Sequence, residues 1–241
     1  MILDKYKTIM EKLSTLFLLL AVTFANAQEH KGFGVSLRTG VSRAIKIPSN
    51  TTFQRKSDLF IPNFGIGVFY DGQIGNGFRC RSQISFLNRG WRERYVDISR
   101  ERTDPTTPWP ELANFQIYSD IRRNYFISPE FSFMYQFGKR QIRPFLQLGI
   151  RTDIYLKSQI VSKGEMLSST STTWSKDRTF KLANATAIIG GGVNFRHLSL
   201  QVEYNPTLTS FVNQEVYESK TLFHYSTLRI QTLNFVVGYR F

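Results

Sequence analysis

From residue 32 to the end of the chain, apolar and polar side chains alternate with a period of two in eight separate runs. In residues 32–43, Phe33, Val35, Leu37 and Val41 share one face, while Gly34, Ser36, Arg38, Gly40 and Ser42 share the other. Successive strand side chains point to opposite faces, so this pattern is the signature of a half-buried strand and is incompatible with the 3.6-residue period of an amphipathic helix. The same alternation recurs over residues 60–74, 78–89, 125–137, 144–156, 182–195, 198–205 and 229–241.

The chemistry of the two faces decides between a soluble and a membrane sheet. One face is an almost unbroken row of aromatic and aliphatic side chains, as in Tyr125, Ile127, Pro129, Phe131, Phe133, Tyr135 and Phe137. The opposite face carries Arg, Asp, Glu and Gln. A soluble sandwich or lipocalin-like barrel would place an apolar face inside, against another apolar face, and the charged face here is no such core. The connections alternate in length: short near 75–77, 138–142 and 196–197, long over 45–59, 90–124, 157–181 and 206–228. Even strand number, alternating turn length and strands long enough to cross a bilayer when tilted are the marks of a transmembrane barrel. Closure satisfies every backbone donor and acceptor, as hydrocarbon requires. The expected fold is therefore all-β, an eight-stranded antiparallel transmembrane β-barrel with short periplasmic turns and long extracellular loops. Phe78, Phe137, Phe195, Tyr239 and Phe241 lie near the short turns, where an interfacial aromatic girdle belongs.

Residues 1–27 read as a signal peptide. Lys5, Lys7 and Lys12 precede a short apolar run, and Ala25-Asn26-Ala27 is a small-x-small cleavage site. Residues 28–241 then form one barrel domain, exported through the inner membrane to the outer membrane of a Gram-negative cell envelope. A single cysteine, Cys80, excludes an internal disulfide framework.

The last strand ends Leu233-Asn-Phe235-Val-Val237-Gly238-Tyr239-Arg-Phe241. This resembles the C-terminal assembly signal of outer-membrane proteins, with alternating hydrophobic residues and a final aromatic. The resemblance implies recognition by the barrel-assembly machinery through Leu233, Phe235, Val237, Gly238, Tyr239 and Phe241, in part by strand addition to an open edge. The Gly32-Phe-Gly-Val start, the Ile127-Ser-Pro129-Glu-Phe strand, the Pro144-Phe-Leu-Gln-Leu-Gly149 strand and the Gly190-Gly-Gly192 strand add to it. Together, over residues 28–241, they resemble the small outer-membrane β-barrels of Bacteroidetes-type bacteria, labelled porin family or PorT-type.

The chain is strongly basic, with 31 Lys+Arg against 18 Asp+Glu. By strand parity Arg38, Arg79, Arg81, Arg89, Arg151 and Arg240 point into the barrel, with Asp71, Glu130, Asp153 and Glu203. An eight-stranded barrel has an interior just wide enough for side chains to fill. A structural charge network in the lumen is expected from Arg38, Asp71, Arg79, Arg81, Glu130, Arg151, Asp153, Glu203 and Arg240. Height along the strands groups Arg38, Glu130, Arg151 and Glu203 at mid-barrel, and Asp71, Arg79, Arg81 and Arg240 at the periplasmic side. The alternative is a narrow anion-preferring, porin-like channel. Bases at the outer strand ends, among them Arg43, Lys157 and Lys181, suit outer-membrane lipid and the phosphates of lipopolysaccharide. Nucleic acid is excluded as a partner, because export removes the chain from it and the bases are spread around a barrel.

No catalytic, cofactor or metal site is expected. The histidines are His30, His197 and His224, and only His224 lies in a long loop with Tyr225, Ser226 and Glu218 nearby. That set is the basis for a remote lipid-modifying enzyme reading. Cys80 falls in the lipid-facing row as a small apolar filler. Loop 90–124, with Trp91, Trp109 and three prolines, is long enough to fold over the mouth, and within it Arg92-Glu-Arg94 and Arg100-Glu-Arg102 read as solvent-facing strand extensions. The expected role is non-enzymatic, structural or surface-interacting, with a plugged lumen. An accessory subunit of an outer-membrane secretion system is a further alternative.

Overall fold

The computed structural model describes residues 32–48, 60–97, 116–138, 141–164, 170–175, 180–212 and 225–241. The signal-peptide reading, His30, His224 and most of the long connections lie outside them. The strands are β1 (Gly32–Pro48), β2 (Ile61–Gln73), β3 (Phe78–Asp97), β4 (Gln116–Gln136), β5 (Ile142–Gly164), β6 (Thr170–Ser175), β7 (Ala183–Phe195), β8 (Leu198–Pro206) and β9 (Tyr225–Arg240). All pairings between them are antiparallel. Strands β1 to β5 and β7 to β9 close on themselves, because β1 pairs with β9 as well as β2 and β4 pairs with β5. The closed ring is the eight-stranded barrel, and β6 is an extra strand hydrogen-bonded to the outer end of β5.

Burial follows the alternation. In β2 Phe64, Ile66 and Val68 are exposed while Asn63, Gly65, Gly67 and Phe69 are buried. The outward row is apolar on every strand of the ring, and in water such a continuous band would be an aggregation surface. Hydrocarbon is the solvent that suits it. Aromatic pairs edge the band at the short-turn end: Phe33 with Tyr70, Phe78 with Tyr135, and Tyr239 with Phe241. The tight turns are built as their residues require. Gly77 and Gly138 take positive φ, at 81° and 78°.

Three features depart from the sequence reading. First, residues 90–97 and 116–124, within the expected loop 90–124, continue the β3–β4 hairpin, with Asp97 paired to Gln116; of these, Arg92-Glu93-Arg94 has the strand character its sequence suggests. Above the bilayer neither face of a hairpin needs to be apolar, so backbone pairing persists there without the hydrophobic alternation. The same holds for β5 beyond residue 156 and for β6, a ninth strand inside the expected loop 157–181.

Second, the β4–β5 ladder is bulged. Phe126 faces Tyr155 and Tyr125 faces Lys157, leaving Leu156 without a partner. The extra residue reverses the facing of the strand beyond it. Tyr155 and Ser158 both point inward, joined by a 2.7 Å hydrogen bond between their hydroxyls. Lys157 turns outward, its Nζ 4.2 Å from the ring centre of Trp174 on β6.

Third, the inward face is not purely polar. Phe69, Leu87, Trp91, Phe126, Met134, Phe145, Tyr155 and Ile188 are all buried. Small residues make room for them. A Cβ on Gly34 would sit 2.3 Å from the Phe69 ring, so β1 carries no side chain where β2 presents an aromatic one.

Candidate functional site

The lumen is filled in tiers, each set by strand register. At mid-height Arg38 on β1 reaches across to Glu130 on β4 in a two-pronged ion pair, with Nη2 donating to Oε2 at 2.6 Å and Nη1 to Oε1. Its Nε lies 3.5 Å from Glu203 Oε2 on β8. Gln201 Nε2 donates to the other Glu203 oxygen. Asp153 on β5 is the mirror arrangement, one carboxylate shared by two guanidiniums. Arg151 Nε is 2.9 Å from its Oδ1, and Arg89 Nη2 pairs with Oδ2. Ser128 Oγ donates to Asp153 at 2.8 Å, and Thr186 Oγ1 donates to its other oxygen. Three buried arginines thus face three buried acids, and the tier is electrically balanced. Buried charges left unpaired would be expensive, and balance with shared hydrogen bonds limits that cost.

All four residues that the sequence groups at mid-barrel lie in this tier, and the geometry adds Asp153 and Arg89 to them. Arg151 lies in register with Glu130, yet its ion pair is with Asp153, two residues along its own strand and on the same face. Arg89, inward-facing by parity but not expected in the network, is a full member of it.

Above this tier is an apolar one that strand parity alone does not reveal. Ala44, Leu87, Trp91, Phe126, Tyr155, Phe180, Phe211, Val212, Leu228 and Ile230 form one buried cluster. Phe126 meets Tyr155 and Phe211 edge-on at ring distances of 6.1 and 5.7 Å, and Phe180 packs on Phe211 at 4.5 Å. Phe126 shares the facing of Glu130, so the strand pattern contains this signal. Phe180, Phe211 and Val212 carry none, since they come from the connections after β6 and β8. An isolated bridge between Phe180 and Val212 and a 2.9 Å bond from Lys181 N to Phe211 O tie these segments over the outer mouth. Arg89 joins the tiers, its guanidinium 4.8 Å from the Phe126 ring centre.

At the short-turn end Arg81 grips Asp71 with two hydrogen bonds, 2.7 and 3.0 Å, and lies 4.1 Å over the Phe69 ring. The other expected members of this group are not brought into that pair. Arg79 is buried without a partner for Nε or Nη2. Arg240 is half-exposed at the rim and donates to Arg196 O at 3.1 Å. His197, in the β7–β8 turn, is exposed and donates from Nδ1 to Arg240 O at 2.9 Å. Cys80 has the outward parity expected of it and is nonetheless shielded. In the terminal strand Leu233, Phe235, Val237, Tyr239 and Phe241 are exposed on the outward face, while Gly238 faces inward, where an added Cβ would meet the Phe69 ring at 3.4 Å. Among the described residues no group of His, Cys, Asp or Glu is arranged to hold a metal ion.

A closed antiparallel ring with an apolar outer band and a packed polar interior defines an outer-membrane β-barrel protein. By the usual orientation of that class the tight turns face the periplasm and the long connections face outward. The chain belongs to the outer membrane protein beta-barrel domain family, whose model matches residues 24–213. Its solved structural neighbours include Neisserial surface protein A, at 14% identity and a TM-score of 0.41, covering 88% of this chain and 100% of that one. The attachment invasion locus protein of Yersinia pestis matches at 10% identity and a TM-score of 0.39, again over 88% and 100%. Outer membrane protein W of E. coli matches at 12% identity and a TM-score of 0.34 over the same shares. No curated protein matches the chain.

Proposed function

We propose that this is a non-enzymatic, non-conducting outer-membrane barrel that acts through its outward-facing end. The observation that carries this reading is the double filling of the lumen: a balanced ion network at mid-height, and above it an aromatic cluster into which two outer connections fold. A channel needs a continuous wet path, and fully buried Arg151, Glu203 and Phe126 lie across it. Structural use of the charge network follows from its balance, since every acid in it is paired.

Bases at the outer strand ends supply the second part of the reading. Arg43 lies 5.1 Å from the Phe60 ring centre, Lys157 stacks on Trp174, and Lys181 is exposed. Cations beside interfacial aromatics suit the phosphates of lipopolysaccharide. The exposed alternation of β9 suits handling by the barrel-assembly machinery, and a PorT-type kinship rests on the strand motifs from Gly32 to Gly192. A surface or secretion-complex partner would contact the outer connections.

The test is single-channel conductance of the detergent-folded protein in a planar bilayer. The native protein is expected to be silent. Steady anion-selective openings that vanish or change when Arg38 and Arg151 become Ser would overturn the reading and make the interior a transport path.

A further inference from the structure

Among the described residues below the aromatic cluster, the lumen's ion pairs balance down to the periplasmic mouth. Counted by side chain, the mid-barrel tier holds Arg38, Arg89 and Arg151 against Glu130, Asp153 and Glu203, three against three. Below it Arg81 and Asp71 cancel. Beneath that pair lies a cavity of about 350 Å³ lined by Arg79, Arg143, Arg196 and Arg240 with three glutamines and Asn194, and no acid is among these lining residues. Asp71 lines a much smaller neighbouring recess and is held by Arg81 from both oxygens.

Two further observations point to a ligand. Arg79 is only 5% exposed, lines the cavity, and has no protein partner for Nε or Nη2. Gln136 beside it is also buried, with Nε2 unpartnered. Buried donors are normally satisfied, and both of these side chains line the same cavity. Arg196 is the one non-glycine with positive φ among the described residues, at 50°. It occupies a two-residue hairpin turn, where Gly or Asn is the usual choice, and its side chain lines the same cavity.

We infer that the periplasmic mouth is a binding site for a small soluble anion bearing phosphate groups, with buried Arg79 and Gln136 as its floor and Arg143, Arg196 and Arg240 as its rim. The volume is that of a small-molecule site. Arg79, Arg196 and Arg240 around it call for more than one negative charge and more than two acceptor oxygens. A phosphomonoester carries close to two charges and three acceptor oxygens, whereas a carboxylate offers one charge and two. The cavity lies inside the ring of strands and opens at its end, so the phosphate is delivered from the periplasm and not from the bilayer. This inference is independent of whether the lumen conducts.

The test is isothermal titration calorimetry of the detergent-folded protein at low ionic strength, with inorganic pyrophosphate, glycerol phosphate and succinate as probes. Saturable one-site binding is expected, tightest for pyrophosphate and weakest for succinate. Arg79→Gln, and separately the rim pair Arg143→Gln with Arg196→Gln, should each weaken pyrophosphate by at least about tenfold, the loss of a charge-assisted hydrogen bond. Arg229→Gln, at an exposed position near the opposite end, should bind like the native protein. The proposal is overturned if the native protein shows no saturable heat, if succinate binds as tightly as pyrophosphate, or if Arg229→Gln weakens binding as much as Arg79→Gln. Heat-modifiable gel migration checks folding of each variant. If Arg79→Gln does not fold, the exposed rim pair decides the matter, and unchanged binding there refutes the site.

Discussion

Arg38 and Glu130 are 92 positions apart in sequence and join across the barrel lumen through both guanidinium prongs. Arg38 also holds Glu203, so one side chain neutralises two acids from β4 and β8. Removing either partner strands a buried charge. Glu130→Ala should destabilise the barrel by about 3–5 kcal/mol. Arg38→Met should cost more, because two carboxylates lose their partner. The urea midpoint of the folded protein in detergent measures both, and an unchanged midpoint for Glu130→Ala would refute the pairing.

Phe126 is fully buried at the centre of the outer aromatic cluster, touching Tyr155, Phe211 and the Arg89 guanidinium. Phe126→Ala should cost about 3–5 kcal/mol through loss of burial and the cavity left behind. Conductance should nevertheless stay at zero, because the charged tier beneath remains closed. Openings in this variant alone would mean that the aromatic cluster is the sole seal.

Gly34 tests how closely the barrel is drawn together. A Cβ there would lie 2.3 Å from the tip of Phe69 and 2.4 Å from the Tyr239 carbonyl oxygen on the closing strand. The ring could swing aside, but the backbone of β9 cannot without loosening its pairing with β1. Gly34→Leu should therefore migrate on a cold gel as the unfolded chain, while native protein migrates as the compact form.

Arg196 offers a trade between stability and binding. A left-handed backbone is strained for a long side chain and easier for Asn. Arg196→Asn should raise unfolding stability by about 0.5–1 kcal/mol. It should also weaken pyrophosphate at the periplasmic mouth. A variant that gains stability and keeps full affinity would separate the turn from the site.

Much of the architecture is legible in the amino-acid sequence. Period two makes Arg38, Arg151, Glu130 and Glu203 inward-facing and Phe33, Leu146 and Phe235 outward-facing, because a strand offers its side chains only two directions. Turn glycines and alternating connection lengths place the short-turn end. The β3–β4 extension is legible only at Arg92-Glu93-Arg94. Above the membrane the backbone pairs without any hydrophobic preference, so the rest of the extension carries no such pattern.

Sequence by itself determined the eight-strand ring, the apolar outer band and the sign of the charge inside, since each follows from local alternation. Only the tertiary structure decided which charges meet. Arg151 turned to Asp153, Arg89 joined it, and Arg79 was left facing an acid-free cavity, because register across a closed ring brings together residues that no local spacing relates. It also brought Phe180 and Phe211 into the outer mouth. Those side chains lie in irregular connections, and they are buried because the top of the barrel presents Trp91, Phe126 and Tyr155 for them to pack against.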